Sequence, residues 1–411
     1  MVRMQASTYP MVSVEEAIQT ILELTPVLLT EEVAIGDALG RVLAEPVTAM
    51  DEMPPFAASA VDGYAVRAAD SSAPRRVVSE IIAGSPVASA VEPGTTVRIM
   101  TGAPLPSGAD AVIMVEQTSE SDGLMVSTST ARPGDNIHSR GQDVARGQVV
   151  LSPGQVLHAS EIGVLATVGQ TRVRVYRRPI VAVLSTGDEL VDAGETLRGG
   201  SIRDSNGPAL LASVVEAGGI ARSLGRVRDD EAAQEELIRR GLDEADVVLT
   251  SGGVSVGSRD LIKPILRRIG TIHFGRVSFK PGKPTTFATV DGDLVFGLPG
   301  FPVSSLVSFE TFVRPALLKM QGFRQVRRPI IRVIAEHDVN RSPDRPEYQR
   351  AVVRLVNGKL IARATGIQRS SRLLSLVGAN AFLKIDPGDS KIQAGEEIEA
   401  VLLGEVVVAA P

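Results

Sequence analysis

The chain has 411 residues, of which 44% are hydrophobic and 22% are charged, as is usual for a globular protein. Its formal charge of −5 and its 3% of aromatic residues, with no tryptophan, argue against nucleic acid as a partner. Without cysteine it has no thiolate ligand or nucleophile, and its sequence shows neither a membrane-spanning apolar run nor a signal-peptide core. We therefore expect a cytoplasmic protein that binds no membrane.

The first part of the chain has helical patterns. Ser13 and Glu16 form a capping box ahead of apolar residues at helical spacing. A second helical pattern covers residues 35–43, and a third begins at Ser160. Between these two, the stretch GQVVLSPGQVL at residues 147–157 is typical of a β-hairpin.

Short β-rich runs alternate with Gly and Pro turns over about residues 61–145, which indicates a small all-β module. A β module with helical segments on both sides indicates an insertion. We therefore predict a discontinuous N-terminal domain of residues 1–50 and 146–177, with a β-rich domain inserted at residues 51–145.

Residues 178–327 alternate strand and helix patterns, beginning with the continuous apolar run at residues 180–184. This rhythm predicts a doubly wound parallel sheet, in which ligands bind at the carboxyl ends of the strands. Residues 328–411 return to short β runs and predict a small C-terminal β-barrel. The fold class is thus multidomain α/β with a central doubly wound domain.

Residues 251–257, SGGVSVG, follow a predicted strand of this sheet and are called the glycine loop. Backbone N–H groups can approach a ligand there, and a helix N-terminus favours an anion. The loop lacks the Gly-Lys-Ser/Thr ending of a Walker loop. A tight strand-to-helix turn without a ligand is the alternative interpretation.

Acidic residues stand at neighbouring strand ends. Asp188 and Glu189 follow the strand at residues 180–184, and Asp260 follows the glycine loop. Carboxylates combined with substrate phosphates are typical ligands of Mg²⁺. A turn residue or helix cap is the alternative for each acid alone, whereas their shared edge favours a metal–phosphate site.

Two further loops carry cations and hydroxyls: residues 280–284, KPGKP (the lysine loop), and residues 297–304, GLPGFPVS (the proline loop). Their prolines restrict the backbone around Lys280, Lys283 and Ser304. Together the loops predict an oxyanion site. Because no Ser/His/Asp or Cys/His set is visible, the chemistry would depend on positioning, charge and a metal.

At this point the residues resemble a known family, the molybdopterin molybdenumtransferases, which are relatives of the E domain of gephyrin. The motifs that carry the resemblance span nearly the whole chain: SAVDGYAV (59–66), RIMTGAPLPSGADAVIMVE (98–116), STGDEL (185–190), SGGVSVGSRD (251–260), KPGKP (280–284) and GLPGFPVS (297–304).

The resemblance implies that adenylylated molybdopterin and molybdate are converted to molybdenum cofactor and AMP, with Mg²⁺. It also implies four domains and a homodimer with the active site at the dimer interface. Its partners would include the molybdopterin adenylyltransferase and recipient molybdoenzymes.

The resemblance also implies roles for individual residues. Those matching molybdopterin or adenylate positions are Ser251, Gly252, Gly253, Ser255, Gly257, Pro299 and Pro302. Those matching molybdate-binding positions are Lys280, Lys283, Ser304, Arg350, Ser370, Ser371 and Arg372. The positions around the metal and the adenylate are Asp188, Glu189 and Asp260. Residues that would complete the site from the second subunit are Asp62, Thr101 and Asp143.

Two residues depart from the family pattern: Phe301 replaces the usual Asn of the proline loop, and Val61 stands where Met is usual. Two other functions stay open. One is the preceding adenylylation of molybdopterin, since those enzymes share the 178–327 type of domain. The other is a non-enzymatic, gephyrin-like scaffold. The preference for molybdate or tungstate is also open.

Overall fold

The computed structural model describes residues 9–70, 73–84, 86, 89–254 and 261–408. The chain divides into two compact units, one of residues 1–31, 40–42 and 175–411, and the other of residues 32–39 and 43–174. Residues 9–31 thus belong with the C-terminal part of the chain. The four domain boundaries expected from the sequence stay a prediction.

Helix α1 (Val14–Leu24) begins as its capping box predicts. Ser13 Oγ accepts a hydrogen bond from Glu16 N at 3.1 Å, and the Glu16 carboxylate accepts one from Ser13 N at 2.7 Å. The buried face of α1, with Ala17, Ile18 and Ile21, packs into the same core as the α/β sheet of its unit.

The second unit is mainly β. Its elements, with the strands that lead into and out of it, are β1 (Thr30–Ala34), β2 (Val47–Thr48), β3 (Ala58–Ser59), β4 (Gly63–Val66), β5 (Arg75–Ile81), β6 (Thr95–Ile99), β7 (Ala111–Met114), β8 (Thr118–Ser121), β9 (Leu124–Ser127), β10 (Ile137–His138), β11 (Val149–Leu151), α2 (Ala159–Thr167) and β12 (Arg172–Tyr176). A six-stranded sheet of order β7-β4-β6-β5-β9-β8 forms its centre. Alternate residues of β4 are buried on opposite faces of this sheet, so a hydrophobic core lies on each face. The β-rich prediction for this region is confirmed.

Two local predictions in this unit are wrong. The helical pattern at residues 35–43 yields only a 3₁₀ turn, Ile35–Asp37, and Gly40 at φ +73° ends any continuation. The hairpin at residues 147–157 does not form, because β11 pairs with β2 and the following segment bonds to Leu43 (Leu43 N to Gln155 O, 2.9 Å).

The α/β part of the first unit comprises β13 (Ile180–Thr186), β14 (Leu190–Val191), β15 (Ile202–Arg203), α3 (Asn206–Glu216), β16 (Ile220–Val227), α4 (Glu231–Glu244), β17 (Val247–Ser251), α5 (Ile262–Ile269), β18 (Thr271–Phe274), β19 (Thr286–Val290), β20 (Asp293–Leu298), α6 (Pro302–Ser308) and α7 (Arg314–Met320). The main sheet has the order β16-β13-β17-β20-β19-β18. Helices α3, α6 and α7 bury against one face, and α4 and α5 against the other. The doubly wound arrangement is therefore confirmed.

The strand pairing is parallel only over the first four strands, since β19 runs antiparallel to both of its neighbours, β20 and β18. This corrects the fully parallel sheet expected from the sequence. Asp291 and Gly292, at φ +51° and +101°, form a two-residue turn between β19 and β20, and such a turn joins antiparallel neighbours. The strand order still reverses between β13 and β17, which is where ligands bind in such sheets.

A π-helical segment, Phe309–Val313, connects α6 and α7. Pro315, the second residue of α7, lacks the N–H that would continue regular α-helical bonding. The wide turn accommodates this proline without interrupting the buried helical path.

The C-terminal region forms a closed barrel from β21 (Ile330–Ala335), β22 (Glu347–Val356), β23 (Lys359–Ala364), β24 (Ala381–Ile385) and β25 (Glu397–Leu402), with β26 (Val407–Val408) added beside β22. The five strands close because β22 pairs with both β23 and β24. This confirms the predicted β-barrel. Among the residues that the structure describes, no helix has the length and apolar character needed to cross a membrane.

Candidate functional site

The described part of the glycine loop makes a tight turn at the carboxyl end of β17. Gly252 and Gly253 adopt φ of +95° and +66°, and a Cβ on Gly252 would lie 2.7 Å from Thr186 O. Only glycine fits this close approach to the end of β13. Ser255, Gly257 and Asp260 lie outside the described residues.

Asn206, at the start of α3, joins the glycine and proline loops. Its Nδ2 donates to Ser251 Oγ and to Gly300 O, both at 2.7 Å. A Cβ on Gly300 would lie 3.6 Å from Gly252 Cα, so the two backbones are close neighbours. The proline loop, with Pro299 and Pro302, therefore lies beside the glycine loop at the switch point of the sheet. Asn206 is not among the site residues predicted from the sequence.

Several buried polar oxygens near these strand ends lack a hydrogen-bond partner within the described part of the chain. They are Ser185 Oγ, Asn206 Oδ1, Thr250 Oγ1 and Ser305 Oγ. A buried hydroxyl or amide normally has a partner, in the protein or in ordered water. Their grouping at one edge of the sheet marks that edge as able to receive a polar ligand.

The exposed acids Asp188 and Glu189 follow the end of β13, as the sequence predicts. Asp188 Oδ1 accepts a hydrogen bond from Asp229 N at 3.2 Å, and the Glu189 carboxylate folds back over Gly187. Within the described ranges, no group of three or more acidic, His or Cys side chains is placed to hold a metal. Two carboxylates together with substrate phosphates nevertheless match the donors that Mg²⁺ takes in proteins.

The lysine loop is hydrogen-bonded to the first residues of β22. Lys280 N donates to Pro346 O at 3.0 Å, and Tyr348 N donates to Lys280 O at 2.7 Å. The side chains also meet: Lys280 Nζ lies 3.2 Å from Glu347 Oε1, with Lys280 42% and Glu347 5% exposed. This contact places a carboxylate beside one of the two predicted oxyanion-binding cations.

The second lysine of the loop also has an acidic neighbour. The pKa of Asp344 lies below its ordinary value, chiefly because the Ser342 hydroxyl donates to it, with smaller effects of Arg345 and Lys283. A cleft of about 370 Å³ passes along this region, and Lys280, Glu347 and Gln368 are among its lining residues.

Arg350 lies on β22, three residues after Glu347, and is 0% exposed. Its Nε donates to Ser375 Oγ at 3.0 Å and its Nη2 to Arg369 O at 3.4 Å. Its Nη1 has no hydrogen-bond partner among the described residues. Burial lowers the pKa of Arg350 to about 10. Such a guanidinium is a strong donor that the protein itself leaves partly unused.

The predicted residues of the 370s segment lie next to the proline loop. Val303 N donates to Ser370 O at 3.0 Å, beside the buried Ser304. Ser371 and Arg372 line a cleft of about 460 Å³. The structure thus brings Lys280, Arg350, Ser304 and Ser370 into one connected region, through direct backbone links between the α/β sheet and the barrel.

Asp62 and Thr101 pair with each other in the β-rich unit. Asp62 Oδ1 accepts from Thr101 N at 2.7 Å and from Thr101 Oγ1 at 2.8 Å. These two bonds, the backbone one first, hold the pKa of Asp62 below its ordinary value. Asp143 is exposed, and its N donates to Met53 O at 2.9 Å. Their role in the site stays a prediction.

Sequence reasoning missed Glu347, which contacts Lys280, and Ser375, which contacts Arg350. Glu347 lies in the EYQRA stretch that carries Arg350, so its charge was visible in the sequence. Its partner, Lys280, lies much earlier in the chain, with several strands and helices between the two residues. No local sequence pattern indicates that these side chains pair. Ser375 is likewise found only once the 3₁₀ turn Leu373–Ser375 is placed.

Three protein-family descriptions match the chain in succession. They are the MoeA N-terminal region (domain I and II) at residues 12–169, a probable molybdopterin binding domain at residues 182–319, and the MoeA C-terminal region (domain IV) at residues 332–403.

Curated relatives match over nearly all of the chain. Molybdopterin molybdenumtransferase of Haemophilus influenzae is 36% identical, with 94% of this chain and 98% of the relative covered. The Staphylococcus epidermidis enzyme of the same name is 34% identical, with 95% of each chain covered. Gephyrin of Dictyostelium discoideum is 35% identical over 98% of this chain, which spans only 64% of that protein's length.

Solved structures agree with this pattern. Two crystal structures of the molybdopterin biosynthesis MoeA protein from Pyrococcus horikoshii superpose with TM-scores of 0.82 and 0.80, at 32% and 30% identity. Each comparison covers 96% of this chain and 100% of the other.

Proposed function

Since the chain belongs to the molybdopterin molybdenumtransferase family, whose members are enzymes of molybdenum-cofactor biosynthesis, we propose that it inserts molybdenum from molybdate into adenylylated molybdopterin. The products are molybdenum cofactor and AMP. We include in this proposal a homodimer and a cytoplasmic location.

The observation that carries the proposal is the buried guanidinium of Arg350, whose Nη1 has no partner among the described residues. A tetrahedral dianion can accept hydrogen bonds from this group and from the ammonium group of Lys280. Around these two cations we assign molybdate to Lys283, Ser304, Ser370, Ser371 and Arg372. The chain supplies fixed positive charge and donors and forms no covalent bond to the oxyanion.

The adenylylated substrate would lie along the glycine and proline loops. Here the backbone turns tightly at Gly252 and Gly253, and buried oxygens such as Thr250 Oγ1 lack partners in the described chain. We assign the substrate to Ser251, Gly252, Gly253, Ser255, Gly257, Pro299 and Pro302.

Asp188 and Glu189, together with Asp260, would hold Mg²⁺ next to the substrate phosphates. When bound, this ion neutralises negative charge on the phosphate groups. The chain's own part is to present carboxylates just after β13. The last residue of that strand, Thr186, lies against Gly252 of the glycine loop.

We assign Asp62, Thr101 and Asp143 of a second copy to the same site. The support is the resemblance of SAVDGYAV and RIMTGAPLP to family motifs, together with the two bonds from Thr101 that orient the Asp62 carboxylate and lower its pKa. A molybdopterin adenylyltransferase would deliver the substrate, and molybdoenzymes would receive the product.

The direct test is to incubate the protein with adenylylated molybdopterin, molybdate and Mg²⁺ and to follow AMP release. We expect AMP without added ATP. AMP formation that requires ATP would favour the adenylylation step instead, and no turnover under either condition would favour a scaffold.

A charge-matched pair of variants tests the oxyanion assignment. Lys280→Ala combined with Lys283→Ala should abolish molybdate-dependent AMP release. Lys359→Ala combined with Lys391→Ala removes the same charge from exposed positions of the C-terminal region and should leave activity unchanged. Full activity of the first pair would refute the assignment of molybdate to the lysine loop.

A further inference from the structure

Phe301 is the most exposed phenylalanine among the described residues, at 60%, whereas Phe296 and Phe309 nearby are at most 2% exposed. One exposed apolar side chain is ordinary in a protein surface. The inference therefore depends on where this ring stands and how firmly its backbone is held.

The ring projects from the proline loop, between the end of β20 and the start of α6. Its neighbour Gly300 lies against Gly252 of the glycine loop. Phe301 is thus an aromatic group at the carboxyl edge of the sheet, close to the strand-order reversal where ligands of such folds bind.

The backbone on both sides of the ring is fixed. Asn206 Nδ2 donates to Gly300 O at 2.7 Å, and Ser305 N donates to Phe301 O at 2.9 Å. Pro302 fixes the next φ angle, and Val303 N is bonded to Ser370 O at 3.0 Å. A side chain with two rotatable bonds on such a rigid segment loses little entropy when a ligand packs on it.

We propose that the ring of Phe301 stacks on a flat heteroaromatic ring of the substrate, either the pterin or the adenine of adenylylated molybdopterin. The inference rests on the proposed function, which supplies both rings. The asparagine usual in the family at this position cannot provide such a face, so this chain would hold its substrate by a contact of its own. Stacking of this kind tolerates different ring types, because every such ring has a π-face.

A fluorescence titration tests the contact directly. The chain has no tryptophan, so Phe301→Trp introduces a single tryptophan, whose emission can be excited apart from that of the four tyrosines. AMP and a pterin without the dithiolene side chain are titrated separately. Val215→Trp is the control, since Val215 is 62% exposed in the last turn of α3, away from the carboxyl ends of the strands. It corrects for absorption of light by the ligands.

We expect AMP or the pterin to change the emission of the Phe301→Trp variant beyond the control, and the ligand that does so identifies the ring. No change with either ligand would overturn the inference. An emission already shifted to the blue in the free protein and insensitive to both ligands would also overturn it, because the side chain would then be buried in another contact.

Kinetics supply a second readout. Phe301→Leu keeps an apolar side chain without a π-face and should raise KM for the adenylylated substrate roughly 5- to 150-fold, as expected for lost base stacking. Phe301→Tyr keeps the ring and should remain close to wild type. Equal KM values for the two variants would refute stacking. Wild-type protein that releases no AMP would instead refute the proposed function, and the titration would still decide whether Phe301 stacks.

Discussion

Replacing Arg350 by methionine should stabilise the protein in the absence of molybdate and weaken its response to molybdate. The side chain is 0% exposed, and burial lowers its pKa to about 10, well below the ordinary value of an arginine. That difference corresponds to about 3 kcal/mol against the charged form. Methionine fills a similar volume without charge but gives up two bonds, a good one from Nε to Ser375 Oγ and a long one from Nη2 to Arg369 O, which together contribute about 1–2 kcal/mol.

The net expectation is a gain of about 1–2 kcal/mol in the free energy of unfolding, or about 2–8 °C in the melting temperature of a unit of this size. Charge-assisted hydrogen bonds to an anion contribute about 1.5–3 kcal/mol, so molybdate affinity should fall roughly 10- to 150-fold. We therefore expect the buried arginine to lower stability without the oxyanion, and molybdate binding to offset that loss.

Thermal unfolding with and without molybdate measures both effects. At a molybdate concentration about 100 times Kd, binding should stabilise the wild type by about 2.7 kcal/mol, whereas Arg350→Met should respond far less. Arg363→Met, which removes an exposed arginine from β23 of the same barrel, should leave both quantities unchanged. A less stable Arg350→Met variant with the full molybdate response would refute this reasoning.

Glu347→Gln should raise molybdate affinity about fivefold in calorimetry, because it removes the carboxylate that competes with the oxyanion for Lys280. That ion pair contributes about 1 kcal/mol. Unchanged or weaker binding would contradict this. Thr101→Val removes the hydroxyl bond to Asp62 but keeps the backbone one, so carboxyl NMR should find the Asp62 pKa raised part of the way to its ordinary value. Because that pKa is depressed in the folded state, its stabilising effect is present above the unfolded pKa and is lost as pH falls through the folded one; in the variant this loss should be smaller and should be complete at a higher pH. Gly252→Ala should destabilise the protein by about 1–3 kcal/mol through its positive φ, whereas Gly163→Ala, exposed in α2 with open space around it, should stabilise it by up to about 1 kcal/mol in denaturant unfolding. Equal effects of the two alanines would show that the glycine loop is not strained.

Features set by local sequence could be predicted from the chain. The capping box at Ser13 and the apolar run of β13 depend on neighbouring residues only, and both appear where the sequence indicates. The Gly252–Gly253 pair was likewise visible as a turn at a strand end. The β13 run and the glycine pair together indicate the carboxyl ends of the strands as the ligand-binding edge of the sheet.

Features that depend on distant partners could not be predicted in the same way. The antiparallel direction of β19 followed from the Asp291–Gly292 turn, a signal that was present but was overridden by the expected strand–helix rhythm. The pairing of Lys280 with Glu347 needed the barrel to be placed first. Arg350 was identified by resemblance, whereas its burial and unpaired Nη1 required coordinates.

The backbone links between the lysine loop and β22 also bear on how such enzymes can be recombined. Lys280 is bonded on both sides to the residues flanking Glu347, and the same strand carries Arg350. The cationic half of the proposed site is therefore encoded in two separate stretches that must match each other. A chimera of two family members joined at residue 327 would combine one parent's loop with the other parent's strand. A junction ahead of β18 would let both travel together, and is the natural place to cut.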